Sequence, residues 1–257
     1  MVPQINQWDD HEVTNNWYPG EVLDDPRYTF ENRADVLAAR GKRAFFEYLP
    51  IREQQSEDGR IYRVRRYGPL LDVFVLDMRS YKDANTPGLE SAAEGGVFGE
   101  RQLRWLKDEL LASTATWKVI AADLPIGLVV PDGPSAIEGI GQGASGAPLG
   151  RELEVADLLS FMARRGVTGT VWLTADVHHT AAHYYSPDRA AFTEFAPFWE
   201  FVSGPLNAGA FGPNTSPAEG SQFFGQVTID AASREMTVRL RNLNGTVLFT
   251  QKLQPGS

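Results

Sequence analysis

Three nearly continuous apolar runs, each followed closely by an aspartate, constrain this chain most. They are Leu71–Leu76 (LDVFVL) before Asp77, Trp117–Ala122 (WKVIAA) before Asp123, and Val167–Thr174 (VTGTVWLT) before Ala175-Asp176. Runs of this length suit strands buried on both faces. Between them lie amphipathic helical patterns. After Gly99, Leu103, Leu106, Leu110 and Leu111 recur at helical spacing; in Arg151–Arg165 the repeat is Val155, Leu158, Leu159 and Met162, closing at Gly166. Helix and buried strand in alternation signify α/β layering. In such sheets ligands gather where the strands end.

The flanking segments read differently. Asn32–Tyr48 predicts a helix whose basic residues, Arg33, Arg40, Lys42 and Arg43, form either a solvated face or a set from which one arginine reaches a phosphate. Gln54–Gly59 is a polar turn, and Arg60–Tyr67 alternates as a half-exposed strand. Gly127–Gly150 lacks periodicity and predicts a long surface loop of the lid or binding kind. Beyond residue 194 the helices stop. Phe195–Ser203, Gln222–Ile229, Glu235–Leu240 and Thr246–Leu253 predict strands of an antiparallel sheet, with Asn244-Gly245 as a hairpin turn.

Length and charge narrow the function. A chain of 257 residues forms one large domain or two small ones, and one domain over 1–257 is expected. No apolar run reaches the roughly 20 residues of a membrane span. The net charge of −9 argues against non-specific nucleic-acid binding, which depends on clustered Lys and Arg. Cysteine is absent, so a metal would have to use oxygen and imidazole donors. The opening residues, MVPQINQW, lack the features of a signal peptide and read as a strand.

The four histidines fall in two polar knots. The first, Ile5–Asn16 (INQWDDHEVTNN), holds Asp9, Asp10, His11 and Glu12; the second, Thr174–His183 (TADVHHTAAH), holds Asp176, His178, His179 and His183. Both are expected at strand ends and are predicted to meet. A strand would send alternate side chains to opposite faces, so the first knot needs a loop for its groups to converge. His179 and His183 would share a helical face, as in zinc sites, but no glutamate accompanies them. Asp176 and His178 are therefore the preferred ligands, with His179 and His183 in supporting or structural roles. Asp77 and Arg79 read as a structural ion pair or as part of the site. Oxygen with imidazole suits iron, manganese, zinc or calcium.

The segments WDDHEVTNNWYPGE, RAFFEYLPIR, LDMRSYKD, FGERQLRWLKDEL, WKVIAADLPIGLVV and LTADVHH, in this order, resemble the alkaline phosphatase D, or PhoD-like, branch of the metallophosphoesterases. The resemblance implies a layered α/β sandwich of mixed sheets flanked by helices and ending in an antiparallel sheet. It also implies a dinuclear site, hydrolysis of phosphate mono- and diesters, and iron with calcium as the metal set. By resemblance Asp10, Asp176 and His178 are metal ligands, His11 contacts phosphate, and Arg40, with Arg43 in reserve, binds phosphate. Asp123 is a weaker match to a further ligand.

Members of this branch carry an early strand with a first ligand and a Gly-Asp-x-x-Tyr motif upstream of Asp-Asp-His-Glu, and no Gly-Asp dipeptide occurs here. The chain is therefore expected to resemble the carboxyl-terminal portion of such an enzyme, without its amino-terminal strands. The partner implied is a small phosphate ester. Family members are commonly exported, which leaves the compartment of this chain open. The competing expectation is a non-catalytic binding or structural module.

Overall fold

The computed structural model describes residues 3–52, 59–91, 96–211 and 222–256. The expected polar turn at Gln54–Gly59 lies outside these residues except for Gly59. Elements in order are α1 (Ala34–Tyr48), β1 (Arg63–Tyr67), β2 (Leu71–Val75), α2 (Glu100–Ala112), β3 (Trp117–Ala121), β4 (Pro131–Asp132), β5 (Ala136–Ile137) and α3 (Glu152–Arg165). They are followed by β6 (Thr170–Thr174), β7 (Ala181–Tyr185), β8 (Phe198–Val202), β9 (Phe223–Ile229), β10 (Met236–Asn242) and β11 (Val247–Leu253).

The main sheet runs β1-β2-β3-β6-β8-β7. Its four inner strands are parallel, and both edge strands pair antiparallel. Alternate residues of the inner strands divide between two cores. Phe74, Ile120, Trp172 and Phe198 face Leu103, Leu106, Leu158 and Met162 of α2 and α3. Trp117, Val119, Val171 and Phe201 face Met236, Val238, Leu240 and Leu253 of the sheet β11-β10-β9. Helices cover one face and a second sheet the other, which is why these strands are apolar on both sides. Burying each such side chain stabilises the fold by about 1.5–3 kcal/mol before entropy is counted.

Local signals locate the ends of elements. α3 stops where Gly166 takes a left-handed φ of 66°, and its N–H caps toward Met162 and Ala163. Gly169, with φ 69°, enters β6 where any Cβ would run into the carbonyl of Thr116, so the β3–β6 register tolerates no side chain there. The hairpin at Asn244-Gly245 forms as expected, with Gly245 N–H on the Asn242 carbonyl at 2.9 Å. Among the described residues, no helix is long and apolar enough to cross a membrane.

Several expectations need correction. The opening run is not a strand: residues 3–9 form no ladder. They are tied instead by Gln7 Nε2 to the Leu76 carbonyl (2.7 Å) and by Arg63 Nη2 to the Asn6 carbonyl (2.5 Å). Their apolar residue Trp8 packs edge-on against Trp17 and Phe45 beneath α1. Phe198–Val202 does not join the terminal antiparallel sheet, because it pairs parallel with β6. Ala181–Tyr185 is a strand and not a helical face; a four-residue spacing serves either periodicity. Gly127–Gly150 contains the β4–β5 hairpin and buries Ile137, Glu138 and Ile140. Arg151 pins this segment, donating to the carbonyls of Ile137, Glu138 and Gly139 and to those of Asp83 and Ala84.

Candidate functional site

The carboxyl ends of β2, β3 and β6 deliver Arg79, Asp123 and Asp176 to one place, and the first polar knot closes over them. The chain after Trp8 does not continue extended. The Asp10 carbonyl accepts the N–H groups of Val13 and Thr14, and Asn16, at φ 55°, returns its N–H to Asp10 Oδ2 at 2.8 Å. Glu12 folds back to cap the Asp9 N–H at 2.8 Å. This turn points Asp9 and Asp10 the same way, which a strand could not do. After β6 the backbone turns sharply, with Asp176 at φ 65° and His178 at φ 54°. Non-glycine residues in this region carry strain, and such strain collects at functional sites.

The two knots meet. One carboxylate oxygen from each of Asp9, Asp10 and Asp176 lies within 4.8 Å of the others, close enough to share a cation. They line a cleft of about 990 Å³ together with His11, Glu138, His178 and His179. His11 stands at its mouth, its side chain 67% exposed and Nε2 3.8 Å from Asp10 Oδ2. His178 lies outside the carboxylate group. Its Nδ1–H donates to the Gly209 carbonyl at 2.8 Å and its ring stacks on Phe211, which leaves Nε2 as the nitrogen able to ligate. Arg40 and Arg43 are on the exposed side of α1, Arg43 paired with Glu47, and neither lines the cleft. His179 bonds the Val177 carbonyl, and His183 bonds Glu200 away from the carboxylates.

Arg79 is the hub beneath the cleft. Its side chain is 0% exposed, and it pairs with Asp123 (2.7 Å), Asp9 (2.7 Å), Asp176 (2.9 Å) and Glu138. Burial opposes its charge, yet the four carboxylates outweigh burial and hold the guanidinium more firmly protonated than usual. Arg79 alone does not neutralise four carboxylates, and the buried Lys82 reaches Glu138 only at 4.0 Å. Burial, followed by the charge of Glu138, pushes Asp176 up to about 8. Asp123 is pushed well up by burial, with Asp9 and Asp176 adding to it against Arg79. Asp123 Oδ1 and the buried Nζ of Lys82 have no hydrogen-bond partner, and burial with the nearby Arg79 brings Lys82 down to about 7. The arrangement is an acidic pit with too little positive charge, as in sites that take a metal ion.

Residues 1–254 match the PhoD-like phosphatase family. The chain belongs to that family. It is also 29% identical over 231 residues to the alkaline phosphatase D of Bacillus subtilis (strain 168), an alignment covering 82% of this chain and 37% of that protein. A solved structure of PhoD superposes with a TM-score of 0.58 at 18% identity, covering 98% of this chain and 55% of the solved one; at that identity the likeness speaks to the fold. This PhoD-like chain thus spans well under two thirds of the length of either relative.

Sequence reasoning brought Asp10, His11, Asp176 and His178 to the cleft lining. It did not single out Asp9 as the third carboxylate, nor Glu138, which arrives from the segment read as a surface loop. It left Arg79 open between a structural ion pair and a part of the site, leaning slightly to the former. The available signal was the position of Arg79 two residues beyond an aspartate at the end of a buried strand, with equivalent aspartates after the next two strands.

Proposed function

We propose that this PhoD-like chain carries the site of a metal-dependent phosphoric ester hydrolase. The observation supporting it is the convergence of Asp9, Asp10 and Asp176 within 4.8 Å at the floor of an open cleft. The donors fit a hard cation: three carboxylates, an imidazole nitrogen on His178, and an unpartnered Asp123 oxygen beneath. Asp10, Asp176 and His178, with Asp9, would hold it. Iron and calcium follow from the family resemblance, and an oxygen-rich set agrees with either. What such an ion contributes when bound is Lewis-acid charge and a water acidic enough to lose its proton near neutral pH.

The side chains do the rest. Arg79 orients Asp9 and Asp176 from below by donating to both from one nitrogen. Gly209 fixes the His178 tautomer. His11, exposed at the mouth beside Asp10, is placed to donate a hydrogen bond to a phosphoryl oxygen or a proton to the leaving alcohol. Arg40 and Arg43 are given no part in phosphate binding, since both stand outside the cleft.

A second reading, a non-catalytic module, draws on one observation: Arg79 already satisfies Asp9 and Asp176, so the pit has an internal cation. Metal analysis of the purified protein, with hydrolysis of bis(p-nitrophenyl) phosphate and p-nitrophenyl phosphate, decides between the two. Asp10→Asn and Asp176→Asn should each lower bound metal and turnover by more than the roughly 10–100-fold typical of a ligand's outer partner. Unaltered metal content and turnover in both variants would remove the enzymatic reading. A parent protein with neither metal nor turnover would leave the module.

A further inference from the structure

The carboxylates are only part of the cleft lining; apolar side chains share it. One wall is the strap Leu128–Pro131, tied to the first knot where Asp132 Oδ1 accepts from Asn16 Nδ2 at 3.0 Å. Leu206 and Phe211 also line the cleft, the latter stacked on His178 at 5.0 Å and donating its N–H to the His178 carbonyl at 2.8 Å. Three of these side chains are large, apolar and open to solvent: Val129 is 46% exposed, Leu206 74% and Phe211 62%. Apolar groups held in water around a polar floor mark a surface that gains when a ligand covers them.

The permanently charged side chains lining the cleft have one sign. Asp9, Asp10, Glu12, Glu138 and Asp176 contribute carboxylates, and among the described residues no lysine or arginine lines it. Arg79 lies below and is occupied by its four partners. A reacting phosphoryl group can be met at the floor, but a second anionic group would face these carboxylates with no lysine or arginine to receive it, only the imidazoles of His11, His178 and His179.

We infer that the cleft selects phosphate esters whose organic substituent is apolar and uncharged, with Val129, Leu206 and Phe211 as specificity-determining side chains. The inference rests on the phosphate-ester reading above and adds the substrate class to it. It disfavours esters bearing additional phosphates or carboxylates.

The test uses diesters with a common p-nitrophenol leaving group and a varied second substituent: butyl, methyl or 2-carboxyethyl p-nitrophenyl phosphate. The same bond breaks in all three, so kcat/KM ratios report on the substituent. Covering part of three extra methylenes should favour butyl over methyl by about tenfold, and the carboxyethyl ester should fall below the methyl ester. In Val129→Ser/Leu206→Ser/Phe211→Ser the butyl-to-methyl ratio should collapse toward one. Because the ratio is taken within each protein, a general loss of activity does not imitate this result. Turnover without that ranking, or a ranking that survives the triple substitution, overturns the inference while leaving the hydrolase reading intact. Absence of turnover for all three esters counts against the hydrolase reading. Calorimetric titration with butyl-, methyl- and 2-carboxyethylphosphonate then decides selectivity: butyl tightest and carboxyethyl weakest supports it, and equal affinities overturn it.

Discussion

Two fully buried ionic hubs, one on a strand of the main sheet and one just past the end of β2, are finished to different degrees. Glu200 on β8 accepts from Ile126 N–H (2.8 Å) and Thr174 Oγ1 (3.0 Å) through one oxygen, and from Tyr185 Oη (2.7 Å) and His183 Nδ1 (3.1 Å) through the other. One charge meets four donors, and the hub is closed. Arg79 meets four carboxylates and leaves Asp123 Oδ1 and Lys82 Nζ without hydrogen-bond partners, Lys82 reaching Glu138 only at 4.0 Å. Both hubs tie strands together, since Glu200 reaches from β8 to β6, β7 and the chain after β3. Only the Arg79 hub opens on a cleft with charge unbalanced. A buried ion satisfied on every side is architecture; one left in electrostatic debt is where a ligand has something to gain.

The sharpest way to break this comparison is to remove each central charge. Arg79→Met would strand four carboxylates, two of them almost fully buried, and should destabilise the metal-stripped protein by about 3–5 kcal/mol in denaturant unfolding. Added divalent cation should restore part of that loss. If the variant is as stable as the parent, the carboxylates are not held by Arg79 and the hub is misread.

A second effect follows from pH. Asp176 has its folded pKa raised from the ordinary aspartate value to about 8, so between about 4 and 8 the folded state binds more protons than the unfolded one. Stability of the metal-stripped protein should therefore fall as pH rises through that window. Asp176→Asn should flatten this slope and gain stability relative to the parent toward pH 8. Chemical denaturation at several pH values in chelator checks it; a slope unchanged by the substitution would assign the titration elsewhere.

Glu200→Gln gives the smallest change. The amide keeps one accepting oxygen but turns an NH₂ toward groups that are themselves donors, and it should cost about 2 kcal/mol with no effect of added cation. A cation-dependent loss there would erase the distinction between the hubs.

Much of the scaffold was legible from periodicity. The three apolar runs became β2, β3 and β6, the two leucine-rich repeats became α2 and α3, and Asn244-Gly245 turned a hairpin as its residue types require. Where prediction failed, the local pattern was ambiguous. Trp8 is apolar whether it caps a strand or plugs the underside of α1, and Ala181–Tyr185 has a spacing common to helix and strand. The stretch around Glu138 has no period, because hydrogen bonds from Arg151, a residue distant in sequence, hold it in place.

What the amino-acid order determined by itself is the supply of parts: buried strands that stop at aspartates, two knots holding all the imidazole, and no thiol. These are properties of neighbours along the chain, set by side-chain period and turn chemistry. Which carboxylates share a pit was decided only by tertiary structure. Asp9 stands there beside Asp10 because the knot turns, Glu138 arrives on a pinned hairpin, and Arg79 is drawn to Asp9, Asp123, Glu138 and Asp176 because burial leaves a guanidinium no water to turn to. Long-range charge pairing inside a protein depends on distance through space and on exclusion of solvent, and neither is written in sequence separation.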